Sequence, residues 1–318
     1  MTNQNELHVV FGASGGIGNA VVRELVARGK RVRAANRSGK AIVPAQVELR
    51  QGDASDPASA RDVCEGATVV YNCTNAPYTE WPTKFPPMMA GIIEGAASAN
   101  AKLVFADNVY VYGRLSGPMT EKTPSNATGH KGKTRIQMAE MLMDAHKRGK
   151  LRATIGRASD YYGPGVTNSA IGETLFRAVL DGKKAMWVGS LDVPHSVSYI
   201  DDFARGLVTL GERDEAIGEI WHIPAGEPLT GRQFLQWVFE EARMPPKIGV
   251  YKRLMMTLIS PFVPLVREVM ETLYQFEEPF VLDGSKYTRT FGDSTVTPHR
   301  EGIRRTLDWF RLNSQTVW

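Results

Sequence analysis

A chain of 318 residues is long for one minimal domain, and its 42% hydrophobic and 23% charged residues suit a globular protein with a real core rather than a disordered one. The net charge of +4 is spread along the chain, with no basic run interleaved with aromatics, so nucleic acid is excluded as an expected partner. The longest apolar stretch, residues 254–266, is too short to span a bilayer and holds two prolines, so no membrane partner is expected. The N-terminus carries no secretory signal pattern, and Cys64 and Cys73 match no metal-ligand spacing. Free thiols in a reducing, cytoplasmic setting are the expectation.

Predicted elements alternate from the start. An apolar run at 7–12 reads as a strand, and residues 19–28 carry helical periodicity that ends at Gly29. Further strands are predicted at 31–35, 47–50, 69–73 and 103–106, then a helix at 138–146 and a strand at 151–156. This order predicts an α/β fold, a doubly wound parallel sheet with helices on both faces. Continuously apolar strands such as VVYNC and KLVFA fit burial on both sides. Past residue 158 glycine and proline become frequent. A strand at 219–224 is expected to rejoin the sheet, and the rest of 158–318 to form a smaller, mostly helical substrate lobe.

The strongest local signal is VVFGASGGIGNAVV. It sets Gly12-x-x-Gly15-x-x-Gly18 between a strand and a helix, with Ser14, Gly16 and Ile17 in the same turn. Gly12 permits the sharp turn, Gly15 lets the backbone approach a pyrophosphate, and Gly18 lets the helix pack closely on the sheet. Free N–H groups at the helix start then face the phosphates. Residues 1–157 therefore read as a Rossmann dinucleotide-binding domain. The second strand ends in Asn36-Arg37-Ser38, with no carboxylate to hold a ribose 2′-hydroxyl. Arg37 suits a 2′-phosphate and Asn36 and Ser38 can donate to it, so NADP(H) is the expected cofactor. Asp53 and Ala54, after the third strand, are expected beside the adenine, and Cys73 and Thr74, ending the fourth, under the cofactor.

Nearly the whole chain resembles the extended short-chain dehydrogenase/reductase family, the NAD-dependent epimerase/dehydratase group. The resemblance rests on GASGGIG, GDASD, VYVYG, GRASDYYGPG, SYIDDFARG and the C-terminal DGSKY…FG…REGIRRTLDWF. It implies catalysis by a Ser or Thr with a Tyr-x-x-x-Lys pair on the helix after the fifth strand. None of the ten tyrosines has a lysine four residues on. Lys131 and Arg135 occupy that spacing in one register, Gly132 and Ile136 in the other, and Asn108 holds the expected Ser position. The chain is thus identified as an atypical member. The candidates left for catalysis are Asn108 to orient a carbonyl, Lys131 as an acid or clamp that also touches the cofactor, and Tyr161 as a displaced proton donor. Arg135 could only clamp. Asp107 reads as a structural hydrogen-bonding residue, as do Asp201 and Asp202, and Tyr162 matches the structural tyrosine of YGPG. The six histidines show no H-E-x-x-H pattern, so no metal is expected.

For the substrate, Tyr78 and Trp81, with Phe85, fall on a Pro-rich loop expected to approach the crevice, where Tyr110 and Asp160 are also expected. The leading expectation is an NADP(H)-dependent oxidoreductase acting on a small, largely apolar carbonyl or enone. The resemblance implies one alternative, a nucleotide-sugar epimerase or dehydratase, although no basic cluster suited to a sugar diphosphate stands out. A non-catalytic NADP(H)-binding sensor or scaffold is another. The family's habits imply a homodimer. Residues 254–266 are left as lid, subunit contact or lobe core.

Overall fold

The structure, a computed structural model, describes residues 6–292 and 296–313. The first half runs β1 (Leu7–Phe11), α1 (Gly16–Ala27), β2 (Arg31–Asn36), β3 (Glu48–Gln51), α2 (Pro57–Cys64), β4 (Ala67–Asn72), α3 (Trp81–Ser98), β5 (Lys102–Asn108), α4 (His130–Lys147) and β6 (Arg152–Ala158). The second continues with β7 (Asp160–Tyr162), α5 (Glu173–Leu180), β8 (Ala185–Val188), β9 (Pro194–His195), β10 (Val197–Tyr199), α6 (Ile200–Glu212) and β11 (Ile220–His222). It ends with β12 (Leu229–Thr230), α7 (Gly231–Ala242), β13 (Ile248–Tyr251), α8 (Arg253–Ile259), α9 (Pro264–Thr272), α10 (Ser285–Phe291) and α11 (His299–Leu312).

Seven strands form one parallel sheet in the order β11-β6-β5-β4-β1-β2-β3. Two apolar layers cover it, as expected for strands that present side chains to both faces. One layer packs Phe85, Met89, Ile92, Met138 and Leu142 of α3 and α4 against Val9, Val70, Leu103 and Ile155. The other packs Val21, Val22 and Leu25 of α1 with Phe203, Leu207 and Leu210 of α6 against Val10, Val69 and Val104. The strand at 219–224 does rejoin the sheet, pairing with β6, and α6 also returns from the second half to pack beside α1.

A third core, with Phe176, Trp187, Phe234 and Phe310, lies among α5, α7 and α11 and three two-stranded pairings: β7 with β10, β8 with β13, and β9 with β12. The segment 254–266 is not that core. It forms α8 and the start of α9, where Met256 is buried while Leu254, Leu258 and Phe262 are exposed. No helix among the described residues is long and apolar enough to cross a membrane.

Two local expectations are corrected. The Pro-rich stretch at 81–87 is not loop but the first turns of α3, with Pro82 near the N-terminus, where a missing N–H costs nothing, and Pro86 and Pro87 inside. The helix persists because Trp81, Phe85, Met88, Met89, Ile92 and Ile93 are all buried on one side of it. Phe85 is fully buried in this core and does not line the crevice. The helix predicted at 138–146 starts eight residues earlier, at His130. Its first turns contain Gly132, where an added Cβ would lie 2.7 Å from the Tyr110 carbonyl oxygen.

Candidate active site

The carboxyl ends of β1, β2 and β4 frame the first part of a long crevice. Gly12 turns the chain with φ +78°, and a Cβ there would sit 2.4 Å from the Cys73 carbonyl oxygen. A Cβ on Gly18 would sit 2.2 Å from the Gly12 carbonyl oxygen, so α1 packs on the turn at a distance that only glycine allows. Helix α1 starts after Gly15 with no side-chain cap, which leaves first-turn N–H groups directed at the crevice. The geometry fits a dinucleotide pyrophosphate.

From this turn one cleft of about 290 Å³ extends over Gly12, Ser14, Asn36, Arg37, Ser38, Asp53 and Ala54. A second, of about 210 Å³, extends the other way past Gly16 and Ile17 to Tyr78, Trp81, Asn108, Tyr110, Arg135, Asp160 and Tyr161. Gly15, Cys73, Thr74 and Asn75 line both, so the two are one continuous groove. The first has the character of an adenosine site. Arg37 is exposed at its rim, while Asn36 and Ser38 hydrogen-bond each other and the Lys40 carbonyl and so shape the turn that presents Arg37. The Asp53 carboxylate accepts from the Ser55 amide and hydroxyl, and these bonds hold its pKa below the usual range.

The second cleft has aromatic walls. Tyr78 and Trp81 lie 5.1 Å apart between ring centroids, and Trp81 and Tyr110 stack at 6.1 Å. Asn108 accepts from the Tyr110 amide at 3.0 Å and thereby caps the 3-10 turn Val109–Tyr112. Tyr161 donates to the Asp107 carbonyl at 3.1 Å, and burial pushes its phenol well above the ordinary range, which opposes a role as a freely ionising acid. His195 Nδ1 donates to the Gln275 carbonyl at 2.9 Å, and its Nε2 shares a hydrogen bond with the Asp160 carboxyl at 2.8 Å. The loop Gly165–Val166–Thr167–Asn168–Ser169, which sequence reasoning passed over, closes the far side.

Lys131 is not among the residues lining either cleft. Its ammonium lies 4.9 Å from the Tyr78 ring centroid, donates to the Glu268 carbonyl, and has its pKa lowered by burial. Beside it His130 bridges Glu268 and Glu271, a His–Glu–Glu group compact enough for an ion, and Glu271 accepts the Lys131 amide. These contacts fasten α9 over the start of α4. Of the two registers proposed for the catalytic helix, the structure turns Arg135 into the cleft and packs Gly132 against Tyr110 and Ala127.

Beneath the cleft runs a buried chain that sequence reasoning missed. Asp107, Arg157 and His222 are register neighbours on β5, β6 and β11. Arg157 donates to Asp107 at 2.9 Å and to the Tyr112 hydroxyl at 2.9 Å. Tyr112 donates to His222 Nε2 at 2.5 Å, and His222 Nδ1 donates to the Asp283 carbonyl at 3.2 Å. The pattern requires a neutral imidazole, and burial together with the Arg157 charge pushes its pKa down to about 4. His8, buried under Lys30, is likewise pushed down to about 4. Folded values below the ordinary 6.5 mean that this stability is complete above pH 6.5 and is lost as pH falls toward 4. Urea midpoints are expected to hold steady from pH 8 to 7 and to drop between 6.5 and 4. A His222→Gln variant should show a shallower drop, and an unchanged slope would remove His222 from the account.

The chain belongs to the NAD dependent epimerase/dehydratase family, whose pattern it matches over residues 8–223. Among curated proteins it is 22% identical over 211 residues to the uncharacterized protein y4nL of Sinorhizobium fredii, covering 62% of this chain and 58% of that one. It is also 24% identical over 222 residues to the Arabidopsis thaliana 3beta-hydroxysteroid-dehydrogenase/decarboxylase isoform 2, covering 63% of this chain and 39% of that one. The chain thus spans roughly four- to six-tenths of the length of these relatives. Solved structures with the same fold include a dTDP-glucose 4,6-dehydratase from Bacillus anthracis in complex with NAD (TM-score 0.80, 15% identity, 98% of both chains). Another is a UDP-glucuronic acid 4-epimerase from Bacillus cereus in complex with NAD (TM-score 0.79, 17% identity, 96% of this chain and 99% of that one). A nicotinamide dinucleotide site and an oxidoreductase, epimerase or dehydratase type of chemistry are what this family carries.

Proposed function

We propose that the chain is an NADP(H)-dependent oxidoreductase acting on a small carbonyl or enone compound. The observation that carries this reading is the continuous groove, with a rim arginine and no carboxylate-ended second strand at one end and an aromatic-walled cleft at the other. The nicotinamide supplies the hydride chemistry. Gly12, Gly15 and the uncapped start of α1 bind the pyrophosphate, and Arg37 meets the 2′-phosphate. Trp81, Tyr78 and Tyr110 wall off water, and Asn108 offers its amide to a carbonyl oxygen. Of the ionisable groups lining the cleft, the tyrosines are pushed up by burial and Arg135 cannot give up its proton. Asp160, hydrogen-bonded to His195, is the group placed to exchange a proton with the product oxygen.

Calorimetry with NADPH and NADH tests the cofactor. One charge-assisted phosphate contact is worth about tenfold to a hundredfold in affinity, so Arg37→Ala should weaken NADPH by that factor and leave NADH alone. A wild-type preference for NADH would overturn the NADP(H) assignment. Loss of NADPH absorbance across a panel of aldehydes, ketones and enones tests the reaction. Tight NADPH binding with no turnover would favour the sensor or scaffold reading. The nucleotide-sugar reading is favoured by the family and by solved structures such as the two above. It predicts saturable binding of UDP-glucuronic acid or dTDP-glucose, against which stands the absence of a Tyr-x-x-x-Lys pair.

A further inference from the structure

The aromatic cleft is lined by a cation with two donor atoms left unpaired. Arg135 leaves α4 with its side chain only 7% exposed, and its guanidinium lies 4.6 Å from the ring centroids of both Trp81 and Phe85. It lines the cleft, yet its buried Nε and Nη1 have no hydrogen-bond partner. The nearest carboxylate oxygen, Asp107 Oδ1, is 3.7 Å away. Asp107 spends its other oxygen on Arg157 at 2.9 Å, so one buried carboxylate serves two buried guanidiniums. The second carboxylate of the cleft, Asp160, is taken by His195. A second buried donor lining the same cleft, the Ser159 hydroxyl, is also without a partner.

A guanidinium stays protonated, and leaving one buried with unmet donors is costly. Arg135 shares the single Asp107 carboxylate with Arg157 and sits 3.7 Å from its open oxygen, so its pairing is partial, and with the Ser159 hydroxyl the unpaired donors of this cleft call for an anionic oxygen group as occupant. We propose that Arg135 and Ser159 form an anion subsite, and that the substrate of the oxidoreductase reading is a carbonyl compound bearing a carboxylate, with the acid on Arg135 and the rest of the molecule between Tyr78, Trp81 and Tyr110. The cleft is then not a purely apolar pocket. The acid group sets the register in which the carbonyl meets the reacting end of the cofactor. Asp160, at the start of β7, is the residue left to handle the proton. This inference rests on that functional reading for the word substrate, but the anion subsite stands on the geometry alone.

The test uses the full chain saturated with NADP+, so that no turnover occurs, titrated by calorimetry with benzoylformate and with its neutral isostere benzoylformamide. Benzoylformate should bind about tenfold tighter or more, the value of one charge-assisted pair. Arg135→Gln should bring the two affinities together while NADP+ affinity changes less than about threefold. Ser159→Ala, which removes one hydroxyl from a folded site, should reduce the preference by about threefold and stands in if Arg135→Gln does not fold. Equal affinity for acid and amide, or no saturable binding of the acid, overturns the proposal. So does an Arg135→Gln variant that loses NADP+ tenfold with the acid preference intact, which would make Arg135 a cofactor anchor instead. If NADP+ itself gives no saturable heat, the oxidoreductase reading fails separately, and the same acid-to-amide ratio on the cofactor-free protein decides the subsite.

Discussion

Asp107→Ala is expected to destabilise the protein by about 3–5 kcal/mol, the cost of removing one partner from a buried ion pair. The carboxylate is fully enclosed and is the partner of Arg157, with Arg135 facing its other oxygen. Without it two guanidiniums remain in a low-dielectric layer, and the chain through Tyr112 to His222 loses its anchor. Asp107→Asn should cost nearly as much, because it keeps the shape and removes the charge. Pairing Asp107→Ala with Arg157→Met should cost clearly less than the sum of the two single changes, since each removes the other's orphan. Urea unfolding at pH 7.5 measures these variants and the Arg157→Met single change, four in all. A loss of under about 1 kcal/mol in Asp107→Ala would mean that water reaches the pair and that the network is not the buried unit described.

Gly12→Val should damage both folding and cofactor binding. Left-handed backbone costs a residue with a Cβ about 1–2 kcal/mol, and φ at Gly12 is +78°. Overlap with the Cys73 carbonyl, 2.4 Å from the added carbon, adds about 1–3 kcal/mol as overpacking. The backbone must move at the point where it approaches the pyrophosphate, so NADP+ affinity should fall by about a hundredfold or more. Gly15→Ala separates the two effects. Its added carbon would meet only the Gly12 carbonyl at 3.4 Å, so the thermal midpoint should be nearly unchanged while the cofactor is crowded out. If Gly12→Val binds NADP+ as the wild type does, the groove is not the dinucleotide site.

The sheet and the glycine turn were legible because both are local signals. Apolar runs alternating with helical periodicity give strand order no choice but a parallel arrangement, and Gly12, Gly15 and Gly18 carry their spacing in the sequence itself. That Tyr78, Trp81, Tyr110 and Asp160 line one cleft was legible for a related reason, since all follow strand ends at the carboxyl edge. The start of α4 was not legible. GHKGKTR lacks apolar periodicity, and its helix is held by packing that sequence does not display: Gly132 against Tyr110, and His130 and Lys131 against α9. For the same reason Lys131 read as an acid or clamp in the cleft and Arg135 as a clamp alone, whereas the helix puts Arg135 in the cleft lining and Lys131 against α9. The Asp107–Arg157–His222 chain had a signal that went unused. All three sit near the ends of predicted strands, and aligning those strands side by side would have put opposite charges together. His195 gave no such hint, because its partner Asp160 is reached only through the pairing of β7 with β10 and the approach of residues 275–280.

The path of the chain between its two halves also limits how this molecule can be taken apart. After β6 it leaves the sheet, returns as α6 beside α1, adds β11 at the sheet edge, departs again, and comes back once more as α10 beside β11. A fragment ending near residue 158 would expose the flank of β6 and the bare side of α1, and the remainder would carry α6 and β11 with nothing to dock on. Expression of either piece alone should therefore yield insoluble material. Any opening of the groove must bend several strands of backbone together, which favours a stiff frame with small adjustments over a freely swinging jaw.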